Sequence, residues 1–307
     1  MAVPRFRLVP DPAAELALVT AFRANALVTG PAIGQFERRL ATLSGHAHCV
    51  TSVNGYCALL LALDALGVRG RPVIMPALST CFAPLNAVLA AGARPVFVDV
   101  DADARIDVAA VRDALPRLGA ERPVVLAPAH FGAPVDVAGL LALGCVVLED
   151  DAQAAHTVLA TRPAATLRAL SFYPSKHLPA IDGGAVLTND DELAGQMRDR
   201  RYYSQQTEAD GVLRYNARLP ALHAAVGLAS LDGAGVTAAR LRLLATQYRD
   251  ALGRYGSVRV LAQAGDMVPS RCVIALPGAA LAAGVLAGLL ARGIGASRDL
   301  LTLASSS

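Results

Sequence analysis

The sequence predicts an α/β fold, with a large domain on a mostly parallel seven-stranded sheet and a small, shortened α/β domain at the C-terminus. Of the 307 residues, 54% are hydrophobic and 17% are charged, so the chain can bury a large core. Short β-branched runs alternate with Ala- and Leu-rich helical stretches, which is typical of parallel sheets with helical crossovers. These runs are almost continuously apolar, as strands covered on both faces are.

Seven such runs are the predicted strands, and they are separated by the helical stretches. In a parallel sheet, ligands bind beyond the carboxyl ends of the strands, so the residues after each run are the candidates for a site. Gly233 and Gly235 precede a long helical stretch, and the domain boundary is predicted there, between residues 1–235 and 236–307. The strands are predicted at residues 47–53, 72–78, 95–101, 123–130, 145–150, 168–173 and 183–188.

Charge and cysteine content exclude several classes of function. The net charge of +3 and the scattered arginines do not favour nucleic acid binding. Five cysteines without a C-x-x-C pair indicate reduced thiols in a cytoplasmic protein, with no structural metal. The N-terminus lacks the apolar core of a signal peptide. The uncharged stretch 272–291 is long enough for a membrane span, but Pro277 and Gly278 divide it into a predicted strand, turn and helix.

The first predicted strand runs directly into a helix that begins at Asn54 and Gly55. Free backbone N–H groups at such a helix start can bind a phosphate at the end of the strand. The ordinary alternative is a helix cap without any ligand, since asparagine and glycine are common there. The pattern therefore indicates a phosphate site only in combination with other features.

Three acids follow the fifth predicted strand in the segment VVLEDDAQAAH. A carboxylate at this point can cap the next helix, or it can hold a protonated ring nitrogen in a pocket. Asp150 and Gln153 are three residues apart, so both could face one bound ring. Asp151 is the alternative to Asp150, because the acids are consecutive.

Lys176 follows the sixth predicted strand in the segment RALSFYPSKHL. Such a lysine either extends to water or performs covalent chemistry that needs a desolvated amine. Ser171 lies five residues earlier, and Pro174 breaks any helix between them. A phosphate cradle, an acid and a lysine at three strand ends match the phosphate, basic ring nitrogen and aldehyde of pyridoxal phosphate.

Seven motifs then occur in one order between residues 15 and 255, and together they resemble the DegT-type sugar aminotransferases, a branch of the fold-type I pyridoxal-phosphate enzymes. The resemblance implies an aminotransferase that moves an amino group from glutamate or glutamine to a keto acceptor. In this family the acceptor is usually a nucleotide-linked keto sugar, in amino-sugar or natural-product biosynthesis. The motifs are LVTGPAIGQFERRLATLSG, NGYCALLLALDALG, AVLAAGARPVFVDVD, AHFGAPVDV, EDDAQAAH, SFYPSKHL with GGAVLTND, and LRYNARLPALHAAVGLASL.

The resemblance also implies a role for each matching residue. Lys176 would bind the cofactor covalently and serve as the proton-transferring base, and Asp150 would pair with the pyridine nitrogen. Gln153 would lie near the 3-hydroxyl group, and Ser171 would bind the phosphate together with the turn at residues 54–55.

The same comparison implies a shared active site. Asn216 would reach the phosphate in the neighbouring subunit, so the enzyme is expected to be a homodimer with composite sites. The segment before Asn216, RYYSQQTEADGVLRY, is polar and aromatic, which suits an excursion across an interface.

The sequence departs from the family pattern at several positions. Tyr56 and Cys57 stand where the phosphate turn usually has threonine and alanine, so a hydroxyl is lost while the backbone donors remain. Cys81 and Phe82 stand where an aromatic residue is expected to stack on the cofactor ring. The small domain is also shorter than in relatives, which leaves the acceptor, its regiochemistry and its stereochemistry open.

Three other functions compete with this interpretation. The family's dehydratases replace the lysine by histidine, and the presence of Lys176 argues against that chemistry. A second alternative is another pyridoxal-phosphate reaction, such as racemisation or carbon–carbon bond formation, on a substrate other than a sugar. A non-catalytic homologue is the third, and it would be expected to have lost Lys176 or Asp150.

Overall fold

The computed structural model describes residues 2–4, 11–119, 122–160, 165–205, 210–261, 267–298 and 301–303. Seven strands form the central sheet, and four shorter ones form two additional pairs. The strands are β1 His48–Ser52, β2 Pro72–Pro76, β3 Leu78–Ser79, β4 Arg94–Val98, β5 Val124–Pro128, β6 Val146–Asp150, β7 Leu167–Ser171, β8 Gly184–Thr188, β9 Arg259–Val260, β10 Ile274–Ala275 and β11 Leu301–Thr302.

The central sheet has the strand order β1-β8-β7-β6-β5-β2-β4. All pairs from β7 through β4 are parallel, whereas β8 is antiparallel to both β7 and β1. Six strands therefore run in one direction and only β8 opposes them. This arrangement confirms the mostly parallel seven-stranded sheet predicted from the sequence, and it brings the carboxyl ends of β2, β5, β6 and β7 to one edge.

Helices cover both faces of this sheet, and local signals define where several of them begin and end. Pro31 occupies the first turn of α2, where its missing N–H costs nothing, and Gly45 ends that helix at φ 70°. The helices are α1 Pro12–Arg23, α2 Pro31–Ser44, α3 Gly55–Ala65, α4 Ala83–Ala90, α5 Val108–Ala114, α6 Val137–Ala142, α7 Ala155–Ala160, α8 Asp191–Arg200, α9 Ala221–Asp232, α10 Ala234–Leu252 and α11 Ala279–Ala291, with 3₁₀ turns at Leu115–Arg117, His130–Gly132 and Tyr203–Gln205.

The core lies on the two faces of the sheet because side chains alternate along each strand. In β6, Val146 and Leu148 pack with α3 in one cluster, while Val147 packs in a second cluster with α5 and α6. All five residues of β6 are buried. This double burial explains why the strands read as continuous apolar runs in the sequence.

The ends of the predicted strands lie within three residues of the observed ones, and one predicted strand is divided. The predicted run 72–78 is divided into β2 and β3, because Pro76 is the last residue that pairs with β4. The stretch 272–291 forms β10, a turn at Gly278 and α11, as predicted. Among the described helices, none combines the length and apolar character that crossing a bilayer requires.

The C-terminal part of the described chain begins with α10, directly after α9. The strands β9 and β10 form an antiparallel pair, and β11 pairs with β3 next to the central sheet. Val3 also forms a bridge with Ile294, which brings the N-terminal segment to this region. The domain boundary at residue 235 remains a prediction.

Gly184 allows the closest approach between the sheet and α3. A Cβ atom at this position would meet the carbonyl oxygen of Asn54 and would lie 2.8 Å from the backbone nitrogen of Gly55. These are backbone atoms that cannot move without displacing the first turn of α3. The Gly-Gly pair after the lysine segment is therefore required by packing at this point.

We expect Gly184→Ala to destabilise the fold by about 1–3 kcal/mol, since the added methyl group overfills a packed site. Urea denaturation measures this effect. Gly195→Ala is the matched control, because Gly195 lies within α8 with no atom within 4 Å of the added methyl group, and there alanine should be neutral or stabilising. Equal stability of Gly184→Ala and the wild type would contradict the expected clash.

Candidate active site

An open cleft lies at the edge where the carboxyl ends of the parallel strands meet, and it contains about 260 Å³ of space, part of which is open solvent. Its wall is formed by residues that follow β2, β5, β6 and β7, which is the location expected for a ligand in this kind of sheet. The polar residues that line it are Ser79, Thr80, Cys81, His130, Asp150, Gln153 and Lys176.

Lys176 lies in a turn after β7, and it is the only lysine in the chain. Its backbone nitrogen donates a hydrogen bond to the carbonyl oxygen of Tyr173 at 2.8 Å, which closes this turn. Burial lowers the pKa of the Lys176 amine, although the negative charge of Asp150 favours the protonated form. The result is an amine that is more easily deprotonated than an exposed lysine, as covalent chemistry with a carbonyl group requires.

Asp150 is the last residue of β6, and only 8% of its surface is exposed. Its Oδ1 atom accepts a hydrogen bond from the backbone nitrogen of Ala152 at 3.1 Å, and its carbonyl oxygen accepts one from Ala129 at 2.9 Å. Burial raises the pKa of the carboxyl group, while the hydrogen bond from Ala152 and the charge of Lys176 lower it. A bound cation would stabilise this carboxylate.

The structure also distinguishes Asp150 from its neighbour Asp151. Asp151 is 1% exposed, and its Oδ2 atom lies 3.9 Å from a guanidinium nitrogen of Arg168. Asp151 is not among the residues that line the cleft, whereas Asp150 is. Of the two candidates from the sequence, only Asp150 can face a ligand in the cleft.

The turn at the start of α3 lies beside the end of β7. Asn54 caps the helix, with its side-chain oxygen accepting a hydrogen bond from the backbone nitrogen of Cys57 at 2.8 Å. The N–H groups of Gly55 and Tyr56 have no acceptor within the helix, because they belong to its first turn. A Cβ atom on Gly55 would lie 2.8 Å from the Cβ of Ser171, so glycine is what allows the start of α3 to lie this close to the end of β7.

Gln153 lines the cleft, but its side chain is already held by the protein. Its oxygen accepts a hydrogen bond from the backbone nitrogen of Phe131 at 2.9 Å, and its nitrogen donates one to the hydroxyl of Thr80 at 2.6 Å. The Ser270 hydroxyl also lies 3.5 Å from the same oxygen. These bonds fix the orientation of the amide and leave one N–H of Gln153 for a ligand.

The two positions considered for a stacking aromatic residue differ in location. Cys81 lines the cleft, whereas Phe82 precedes α4, is 51% exposed and is not among the lining residues. Tyr56 is half-buried and packs against the core around α3, so its side chain does not line the cleft either. The cleft wall therefore has a thiol at the place where an aromatic ring was expected.

Asn216 lies outside this cleft within the same chain. Its side-chain oxygen accepts a hydrogen bond from Arg218 at 3.0 Å, and its backbone forms a bridge with Tyr202. The guanidinium of Arg218 stacks 3.9 Å from the centre of the Tyr202 ring. The contact of Asn216 with a second subunit remains a prediction.

Thr80 and His130 line the cleft but were not singled out from the sequence. His130 is 2% exposed and its Nε2 atom lies 3.3 Å from the carbonyl oxygen of Leu78, so this nitrogen carries the proton. Burial lowers the pKa of His130 to about 4, which keeps the ring neutral at pH 7. The available signal was their position, since Thr80 follows one predicted strand and His130 is the last residue of another.

Residues 11–297 match the DegT/DnrJ/EryC1/StrS aminotransferase family. The chain is 38% identical over 244 residues to dTDP-3-amino-3,4,6-trideoxy-alpha-D-glucose transaminase of Micromonospora megalomicea subsp. nigra, covering 75% of this chain and 64% of the relative. It is 36% identical over 226 residues to UDP-2-acetamido-2-deoxy-3-oxo-D-glucuronate aminotransferase of Pseudomonas aeruginosa, covering 67% of this chain and 59% of the relative. The chain therefore spans less than two thirds of the length of these curated relatives.

Solved structures show the same fold. DesV of S. venezuelae, in complex with a ketimine intermediate, superposes with a TM-score of 0.83 at 29% identity, covering 95% of this chain and 82% of DesV. The residues that follow the strands in the cleft are thus held by a scaffold shared with this enzyme. The match over residues 11–297 and the identity to the curated relatives show that the chain belongs to the DegT/DnrJ/EryC1/StrS aminotransferase family.

Proposed function

We propose that the protein is a pyridoxal-phosphate-dependent aminotransferase that transfers an amino group from an amino acid to a keto group on a nucleotide-linked sugar. The observation that carries this proposal is the position of Lys176. The only lysine of the chain lies in the same cleft as the buried Asp150, at the carboxyl ends of adjacent strands. In such a pair, the lysine amine could react with the aldehyde of a cofactor while the carboxylate pairs with a basic ring nitrogen of the same cofactor.

The described residues fit pyridoxal phosphate. The free N–H groups of the first turn of α3, which lies in close contact with Ser171, suit a phosphate group. Asp150 would hold the protonated ring nitrogen, Gln153 would lie near the 3-hydroxyl group, and Lys176 would bind the aldehyde carbon. Of the residues that the sequence assigned to the cofactor, Tyr56 contributes its backbone and Cys81 contributes a thiol to the wall.

The chain's own residues then perform three tasks. When bound, pyridoxal phosphate supplies an electron sink that acidifies the α-proton of an amino acid. The Nζ atom of Lys176 would act as the base that takes this proton from the α-carbon of the donor and as the acid that gives it up again. Asp150 keeps the ring nitrogen protonated, since a buried carboxylate is stabilised by an adjacent cation. The surrounding strand ends keep these groups in place.

The substrate class is inferred from the relatives. Their names specify amino groups placed on dTDP- and UDP-linked sugars, and we propose a nucleotide-linked keto sugar as the acceptor here as well. Glutamate or glutamine is the proposed donor. The cysteines at positions 49, 57, 81, 145 and 272 are all free thiols, which supports the proposal of a reducing, cytoplasmic location.

The covalent role of Lys176 is tested by Lys176→Ala. We expect this variant to fold but to lose both turnover and the borohydride-stable link to pyridoxal phosphate, because no other lysine can replace it. Peptide mapping by mass spectrometry after reduction identifies the labelled residue. In the wild type the label should lie on Lys176, and a label on the N-terminal amine, or one that persists in Lys176→Ala, would contradict the proposal.

The proposed homodimer is tested by mixing two inactive chains, Lys176→Ala and Asn216→Ala. If each site combines Lys176 of one subunit with Asn216 of the other, random pairing in a two-fold dimer restores about a quarter of the wild-type sites. Turnover after subunit exchange measures this recovery, and each variant alone is the control. Absence of recovery despite exchange, or a fully active monomer in sedimentation, would rule out the composite site.

A further inference from the structure

A buried cluster of three charged residues lies directly beside Asp150. The side chains of Glu149 and Asp151 are 2% and 1% exposed, and that of Arg168 is 7% exposed. The Arg168 Nη2 atom lies 3.0 Å from Glu149 Oε2, and its Nη1 atom lies 3.9 Å from Asp151 Oδ2. Neither acid lines the cleft, so the proposed reaction leaves the cluster without a role.

The cluster and Asp150 lie on opposite faces of the sheet. Glu149 and Arg168 are register partners on the parallel strands β6 and β7, and their side chains point the same way. Val147 and Leu170, which share that face, belong to the two clusters that α3 does not contact. The strand end is thus held by an ion pair on one face while Asp150 projects from the other.

Hydrogen bonds hold the backbone around Asp150 on both sides. The Asp150 carbonyl oxygen accepts from the nitrogen of Ala129 on the β5 side at 2.9 Å. The nitrogen of Asp151 donates to the carbonyl oxygen of Ala169 in β7 at 2.8 Å. A rearrangement of residues 149 or 151 that strains these two bonds would move the backbone that carries Asp150.

The charges in this cluster do not balance if all three groups are ionised. Burial raises the pKa of both Glu149 and Asp151, and the charge of Arg168 opposes the rise in each case. Among the described residues, His46 also interacts electrostatically with Arg168, and its pKa is lowered to about 4 by burial first and by the charge of Arg168 second. Within the described residues, Glu149 Oε2 and Asp151 Oδ2 have no regular hydrogen bond, so Arg168 holds them by charge.

We infer that Arg168 is a positioning residue that, by pairing with Glu149 and Asp151, fixes the strand end from which Asp150 enters the cleft. Removal of the guanidinium would leave two buried carboxyl groups on either side of Asp150 without a counter-charge. Their rearrangement would displace Asp150 from a cofactor nitrogen, even though no residue of the cluster touches the cleft. The cofactor part of this inference rests on the proposed function, whereas the effect on the strand end does not.

Three variants test it. Arg168→Met removes the charge, and Arg168→Lys keeps the charge but cannot reach both acids with a planar fork. The combination of Arg168→Met, Glu149→Gln and Asp151→Asn removes the ion cluster without leaving a buried charge, so it remains informative if Arg168→Met fails to fold. Arg105→Met is the matched control. This substitution removes the ion pair between Arg105 and Asp101, whose charged atoms lie 2.7 Å apart, and neither residue lines the cleft.

Two measurements are made on each variant. Amide hydrogen exchange at residues 129 and 151 reports the strand end in the protein without cofactor. The visible absorption of bound pyridoxal phosphate, followed against pH, reports the electrostatic contact with Asp150, and Asp150→Asn gives the shift expected when that contact is lost.

We expect exchange at both amides to accelerate about tenfold in Arg168→Met and in the triple variant, a size common for couplings within one ion network. The pH midpoint of the absorption change should shift in the same direction as in Asp150→Asn. Arg168→Lys should recover part of both effects, and Arg105→Met should show neither.

The inference would be overturned if the folded Arg168 variants exchanged these two amides at the wild-type rate. It would also be overturned if exchange became faster while the pH midpoint of the absorption change stayed the same, since Arg168 would then be a purely structural residue. A wild-type protein that binds no pyridoxal phosphate would contradict the proposed function instead. In that case the exchange rates alone decide whether Arg168 fixes the strand end.

Discussion

The site depends on the electrostatic interaction between Lys176 and Asp150, two charged groups that the cleft partly removes from solvent. Burial disfavours the charged form of each group, and the opposite charge of the other partly restores it. Each pKa is still shifted towards the neutral form, and without the charge of the other residue the shift would be larger. In the proposed function, a cofactor with a basic ring nitrogen and an aldehyde would use both groups, because the nitrogen would supply Asp150 with a cation and the aldehyde would react with the lysine amine.

The sheet makes this interaction possible because its parallel strands end at one edge. Asp150 is the last residue of β6 and Ser171 is the last residue of β7, and the turn after β7 places Lys176 in the wall of the cleft. The start of α3 can approach Ser171 only because residues 55 and 184 are glycines. Close contacts at these glycines therefore determine how near the first turn of α3 lies to the end of β7, and the hydrogen-bonded amide of Gln153 forms part of the cleft wall.

Much of this was predictable from the sequence. Continuous apolar runs predict the seven buried strands because both faces of a parallel sheet are covered, and strand-end positions predict Asp150, Gln153 and Lys176. The missed features depend on contacts distant in sequence. His130 and Thr80 belong to the cleft only through the pairing of β5 with β2, and the location of Phe82 outside the cleft depends on the start of α4. The pairing of Arg168 with Glu149 follows from strand register, which no local pattern reveals.

The most direct test of the aminotransferase assignment is a single half-reaction with the purified protein loaded with pyridoxal phosphate. Glutamate or glutamine, added without any acceptor, should convert the bound cofactor to pyridoxamine phosphate and release the corresponding 2-oxo acid in one turnover. The loss of the visible absorption band and the appearance of the oxo acid are both measured. If common amino acids leave the spectrum unchanged, while an amino-acid substrate is racemised or coupled to carbon, the protein performs a different pyridoxal-phosphate reaction.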